Sequence, residues 1–215
     1  MSNTRGVLDI DLMEQVAVEL QHINVKLPIK DPDKVDLQAA VPVFHKWIQA
    51  QIFDKLLLDV ADYSHVPDGP GVVLIGHEAD YALDNTDSRL GVRYNRKAPL
   101  AGSNRDRLAQ ATLSSLRAFQ RLAQDLKLSF NGRDIEVVIN DRLLAPNNQD
   151  TRRAIEPEFK EFFGRLFAGG DFALSYPSEP RRLFGIVARA GREFSLDTLQ
   201  RNLEGTAGPT KSPAY

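Results

Sequence analysis

LLLDVADYSHVPDGPGVVLIGHEADYALD, Leu56 to Asp84, is the stretch whose reading decides the fold. Lys55-Leu-Leu-Leu-Asp-Val-Ala61 and Gly71-Val-Val-Leu-Ile-Gly76 are short apolar runs bounded by turn formers, and they read as strands. Neither alternates cleanly between apolar and polar positions. That is the pattern of central strands covered on both faces, although periodicity alone does not separate such a run from a buried helix. Pro67-Asp-Gly-Pro-Gly71 between them is strong turn chemistry. As an antiparallel hairpin, the pair puts His65 at one end and His77 at the other.

Working outward, Pro42 suits the first turn of a helix, where its missing N–H costs nothing, and Phe44, Trp47 and Ile48 form the buried side of that helix. Upstream, Asp11 with Glu14 marks a helix carrying Leu12, Val16, Leu20 and Ile23 at helical spacing, followed by a strand over Asn24 to Pro28. Downstream, Leu90 to Asn95 is a further strand. Ser103 with Asp106 opens the longest helix, Asn104 to Asp125. Asn131-Gly132, between Leu128-Ser-Phe and Ile135-Glu-Val-Val-Ile, signals a hairpin in which both turn residues take positive φ. A helix from Pro157 to Phe167, strands over Asp171 to Tyr176 and Leu183 to Arg189, and a short helix capped by Ser195 complete the series.

The expected fold class is therefore α+β: a mixed β-sheet with helices packed on it, in one globular domain over residues 1–205. Residues 206–215 are small, polar and proline-bearing, the composition of a disordered tail. Pro42 and Pro157 each precede a strand by the same offset. The order allows two β-α-β-β units, in halves 11–125 and 126–205, related by duplication. Residue identity between the halves is negligible, and chance similarity of α+β segments competes with that idea.

Composition excludes several classes. The net charge of -2 supplies no overall attraction to nucleic acid or an anionic membrane. No apolar run is long enough to span a bilayer, and no secretory leader is visible, so the expected location is the cytoplasm. With no cysteine, disulfides, thiolate metal sites and cysteine nucleophiles are excluded.

The dense acids of the opening stretch, with its histidines, are the first candidate site. Asp, Glu and His bind metals where cysteine is absent, and they serve as general acids and bases. Hairpin geometry groups His45, Asp62 and His65, with Asp59, as a catalytic set, the first three holding a divalent metal. His77, Glu78 and Asp80 are the alternative metal set. Asp59 stands out because it interrupts an apolar strand, where a buried carboxylate needs a partner. The simpler reading of Asp62 is that it satisfies loop backbone groups. Arg93, Arg96 and Lys97, within a basic stretch running from Arg89 to Arg121, are a candidate anion site; pairing with the preceding acids is the simpler account of them. His77-Glu78 begins like a zinc-protease motif, but Tyr81 stands where its second histidine belongs. Phosphate-loop, dinucleotide and nucleophile-elbow motifs are absent from the sequence.

The leading functional expectation is a non-enzymatic interaction or assembly protein, acting as a homo-oligomer or as a complex subunit, with acidic and basic stretches pairing between subunits. The rival is a metal- or small-ligand-dependent enzyme using the His/Asp cluster. Third is nucleic-acid or phosphate binding through the arginines, with nucleic acid the less expected partner.

Overall fold

Ile23-Asn-Val-Lys-Leu-Pro28 shows how the two faces of this protein are built. Side chains on a strand alternate between faces, so Ile23, Val25 and Leu27 go one way while Asn24 and Lys26 go the other. All six residues are nonetheless buried. The strand is therefore central, with an apolar face under helices and a polar face covered by something else.

The computed structural model describes residues 18–177, 179 and 181–205. Within them the elements run β1 (Ile23–Pro28), α1 (Ala40–Ala50), β2 (Leu57–Tyr63), β3 (Gly71–Gly76), β4 (Ala79–Asp84), β5 (Gly91–Arg96), α2 (Asn104–Leu126), β6 (Asp134–Ile139), α3 (Gln149–Leu166), β7 (Phe172–Ser175), β8 (Gly185–Ala190) and α4 (Leu196–Glu204). The strands form one sheet in the order β2-β3-β4-β5-β1-β6-β8-β7. Every ladder is antiparallel, so the α+β class holds while the mixed sheet of the sequence reading does not. The β2–β3, β3–β4, β4–β5 and β7–β8 ladders join strands consecutive in the chain, whereas β1 pairs with β5 on one side and with β6 on the other, and β6 with β8, across longer connections.

Register carries the two faces across the sheet. Val60, Leu74, Tyr81, Tyr94, Val25, Val137 and Ile186 are successive cross-strand neighbours in one row under the helices. Ala61, Val73, Ala82, Arg93, Lys26, Glu136, Val187 and Ser175 form the matching row on the opposite face. α1 packs on β2 and β3, and α2 lies over β1 and β5. Stacked rings of Phe159 and Phe163 on α3 and Phe167 just past its end meet Phe184 and Phe172 at the other end of the sheet.

Both β-α-β-β segments are present, each with its first strand at the sheet centre, its second at an edge and its third inside that edge. The hairpin of β4 and β5 separates β3 from β1 and has no counterpart in the other half. Shared element order does not amount to shared descent.

Several sequence expectations need correction. β2 is an edge strand, not a central one, and Leu56 and Leu58 are half exposed. Its apolar run reflects an uncovered edge, not burial on two faces. Asn131 and Gly132 do not join two paired strands: Phe130 bridges to Ile29, and β6 pairs with β1 and β8. Only Gly132 takes a positive φ, while the Asn131 side chain accepts the N–H groups of Arg133 and Asp134. α3 starts at Gln149 with Asn148 as its cap, and Pro157 lies inside the helix. The N-terminal helix falls, up to residue 17, outside the described residues; its expected last member, Ile23, begins β1. The tail at 206–215 also lies outside them.

Candidate functional site

The expected cluster of His45, Asp59, Asp62 and His65 sits on the exposed flank formed by α1, β2 and the turn after β2. Asp59 accepts the N–H of the next residue, Val60, at 2.7 Å, as an edge strand permits. Asp62 accepts the Ser64 N–H at 2.9 Å, and the Ser64 hydroxyl and backbone bonds hold its carboxyl below the ordinary range, with His65 adding to the effect. Both acids thus satisfy loop and edge backbone groups. No hydrogen bond or ion pair joins His45, Asp59, Asp62 and His65 to one another. Among the described residues, no group of three or more His, Asp or Glu is placed to hold a metal ion, and that includes the His77, Glu78 and Asp80 set. His77 lies at the far end of the hairpin, its N–H bonded to Leu56 O at 2.9 Å.

The second half of the acidic stretch is neutralised by the basic residues that follow it. Strand β4 pairs with β5, so each acid meets a cation from the next strand: Glu78 with Arg96 at 2.9 Å, Asp80 with Lys97 at 2.7 Å, and Asp84 with Arg93 at 3.0 Å. Lys55 adds a second partner for Glu78 at 3.0 Å, and bonds from Lys55 and Arg96 hold the Glu78 carboxyl below its ordinary range. Arg93, Arg96 and Lys97 do not converge. Arg96 turns to the helix side, where its Nε also donates to Ala98 O, whereas Arg93 and Lys97 face the other way.

The face on which none of the described helices packs holds a dense polar arrangement. Asp80, Asn95 and Asn24 are successive cross-strand neighbours on β4, β5 and β1. Arg93 and Lys26 occupy the next row directly opposite one another, an unfavourable juxtaposition of like charges unless an anion lies between. Asp84 supplies it, accepting Lys26 Nζ at 2.5 Å and Arg93 Nη1 at 3.0 Å. Thr86 donates its hydroxyl to the same carboxylate at 2.9 Å, and Lys26 also donates to Thr86 O at 3.1 Å. The β4–β5 turn is thereby folded back over the sheet, where Asp87 pairs with Arg182 from the β7–β8 connection. This cover is why Lys26 and Asp84 are only 4% and 1% exposed on a face where no described helix packs.

Beside the cover is a cavity of about 190 Å³ whose lining includes Asn24, Asn95, Asp80, Asp84, Arg93 and Leu183. Asn95 Nδ2 reaches Asp80 at 3.4 Å, but the Oδ1 atoms of both Asn24 and Asn95 are buried without a hydrogen-bond partner. A broader cleft of about 610 Å³ lies on the other side of the turn, over Pro28, Leu90 and Val187. Its charges are internally matched: Arg189 grips Asp134 at 2.7 and 3.0 Å, and Arg89 meets Glu136 at 3.4 Å.

The sequence reading placed Asp80 and Arg93 in two separate sets and missed Asn24, Asn95 and Lys26. The available signal was polar residues alternating with Ile23, Val25 and Leu27 in an otherwise apolar strand. No protein-family model and no curated protein matches the sequence.

Proposed function

We propose that this is a non-catalytic binding protein that works as a subunit of a complex, with a partner docking at the β2 edge. One observation carries the reading. Of the five large hydrophobic side chains most exposed among the described residues, Leu56, Leu58, Tyr63 and Val66 all lie on β2 or beside it. An edge strand presents unpaired backbone groups, and apolar side chains along such an edge form the surface used in strand addition. A bulge between Leu57 and Asp59, together with the Asp59 cap on Val60, guards the first half of this edge against indiscriminate pairing.

Charge selects the partner. Asp54, Asp59 and Asp62 are exposed along the edge, while the Lys55 charge is engaged by Glu78. A second copy would bring Asp59 and Asp62 against the same acids, which disfavours self-pairing. The matching partner is an extended segment of another protein that alternates apolar with Lys or Arg side chains. Pairing of acidic and basic stretches between subunits no longer motivates association, because those charges close within the chain. A cytoplasmic site of action accompanies this reading. The enzyme alternative draws no support from the exposed, unconnected positions of His45, Asp59, Asp62 and His65.

Two labelled synthetic peptides test it, one alternating valine with lysine and the other valine with glutamate. Anisotropy should rise with the lysine peptide only, and Leu58→Lys should weaken that binding about tenfold, a loss of ~1.4 kcal/mol. Equal binding of both peptides, or binding indifferent to Leu58→Lys, refutes the proposal. A dimer in light scattering that Leu58→Lys dissolves would assign the edge to a second copy instead.

A further inference from the structure

We propose a small-molecule site on the face of the sheet opposite the helices: the cavity floored by Asn24 and Asn95 takes a small amino acid, or a similar carboxylate that carries N–H groups. This site is separate from the β2 edge and does not depend on it.

Unfilled hydrogen-bonding capacity is the starting point. Asn24 is 4% exposed, and its Oδ1 accepts no bond; Asn95, directly opposite on β5, leaves its Oδ1 equally unpartnered. A buried acceptor without a donor is destabilising, and native structures keep few of them. Two side by side on adjoining strands, both in residues lining one cavity, mark a place where a donor from elsewhere is expected. The cavity volume of about 190 Å³ admits a compact ligand.

The rest of the lining specifies the other end of the ligand. Arg93 uses Nη1 on Asp84, and among the described residues no group accepts from its Nε or Nη2. A guanidinium with free N–H groups suits a carboxylate. The local charge agrees: Asp80 and Asp84 face Lys26, Arg93 and Lys97, which leaves one positive charge in excess. Acceptors on Asn24 and Asn95 with donors on Arg93 therefore ask for N–H groups at one end and a carboxylate at the other. The amides turn about their terminal torsions to present oxygen to the ligand, a rotation that is broad and soft for asparagine.

Nitrogen-15 NMR titration of the full chain with glycine and with alanine tests this directly, with acetate and methylammonium as probes carrying only one of the two groups. The expected result is saturable shifts on β1, β4 and β5 with glycine or alanine, and binding of acetate and methylammonium weaker by about tenfold or more. Asn24→Leu should reduce the amino-acid affinity by a similar factor while raising Tm, because it removes an unpaired buried oxygen and keeps the same branched arrangement of side-chain heavy atoms. Asn95→Leu carries the same test should Asn24→Leu not fold. The proposal is overturned if neither amino acid gives a saturable shift. It is equally overturned if the leucine variants lower Tm and leave affinity unchanged, since the amides would then be purely structural.

Discussion

Lys26 is a lysine in the middle of a central strand, buried to 4% exposure. Such a charge is tolerated only when paired and hydrogen-bonded. Asp84 meets both needs and also holds Arg93, which faces Lys26 across the ladder. Removing one partner of a buried pair costs about 3–5 kcal/mol, and here Arg93 would still hold Asp84. Lys26→Met is therefore expected to lower stability by about 3 kcal/mol in urea titration. The cluster also sets a pH dependence. Burial pushes the Asp84 carboxyl up, but the charges of Lys26 and Arg93 and the bonds from Lys26 and Thr86 outweigh it, leaving the group below its ordinary value of 3.8. At Asp134, burial is likewise outweighed, there by Arg189. A carboxyl depressed in the folded state contributes stability that is full above its unfolded value and is lost as pH falls through the folded one. The stability that these carboxyls contribute should thus decline as pH falls below about 3.8, and Lys26→Met, which removes one of the charges holding Asp84 down, should move the acid-unfolding midpoint upward, followed by circular dichroism.

At the scale of elements, termini and turns decide the boundaries. Helix α2 begins with a complete capping box: the Ser103 hydroxyl accepts the Asp106 N–H, and the Asp106 carboxylate accepts the Ser103 N–H at 3.0 Å. Ser103→Ala should cost about 1 kcal/mol, measured by urea denaturation. Gly71 opens β3 at φ +65, and a Cβ there would run into the backbone oxygen of Leu83 on β4. Gly71→Ala combines backbone strain with a clash inside the sheet, and a loss of about 2–3 kcal/mol is expected in the same measurement. Helix α3 shows the opposite kind of tolerance. Pro157 is exposed, so the hydrogen bond it forgoes leaves a carbonyl on the solvent side, where water can serve it.

For the whole molecule, the folding of acidic against basic stretches removes what looked like two opposed surface patches. Glu78, Asp80 and Asp84 close on Arg96, Lys97 and Arg93 within one hairpin. What stays open is the β2 edge, with its four exposed apolar side chains and its acids. Light scattering on the isolated chain should therefore report a monomer at both low and high salt. An oligomer that high salt dissolves would show that charges still pair between chains.

Much of the local structure was legible in the residues alone. Ser103 with Asp106, Pro42 at a first turn, Ser195 as a cap and the apolar run at Gly71–Gly76 each specify their conformation through bonds and dihedrals spanning a few positions. Strand β4 was equally available, since Ala79, Tyr81 and Leu83 alternate with Asp80, Ala82 and Asp84, but its acids drew the reading toward a surface cluster. The placement of β2 at an edge was not legible, because an apolar run looks the same whether a strand or solvent lies beside it. Nor was the meeting of Asn24, Asn95 and Asp80: Asn24 and Asn95 lie far apart in sequence, and only strand order and register make them neighbours. Sequence by itself determined which segments are helix, strand or turn wherever the deciding forces act within a few residues. Tertiary structure decided which face and which edge each strand presents, because pairing between distant strands sets the solvent, the charges and the hydrogen-bond partners that every side chain meets.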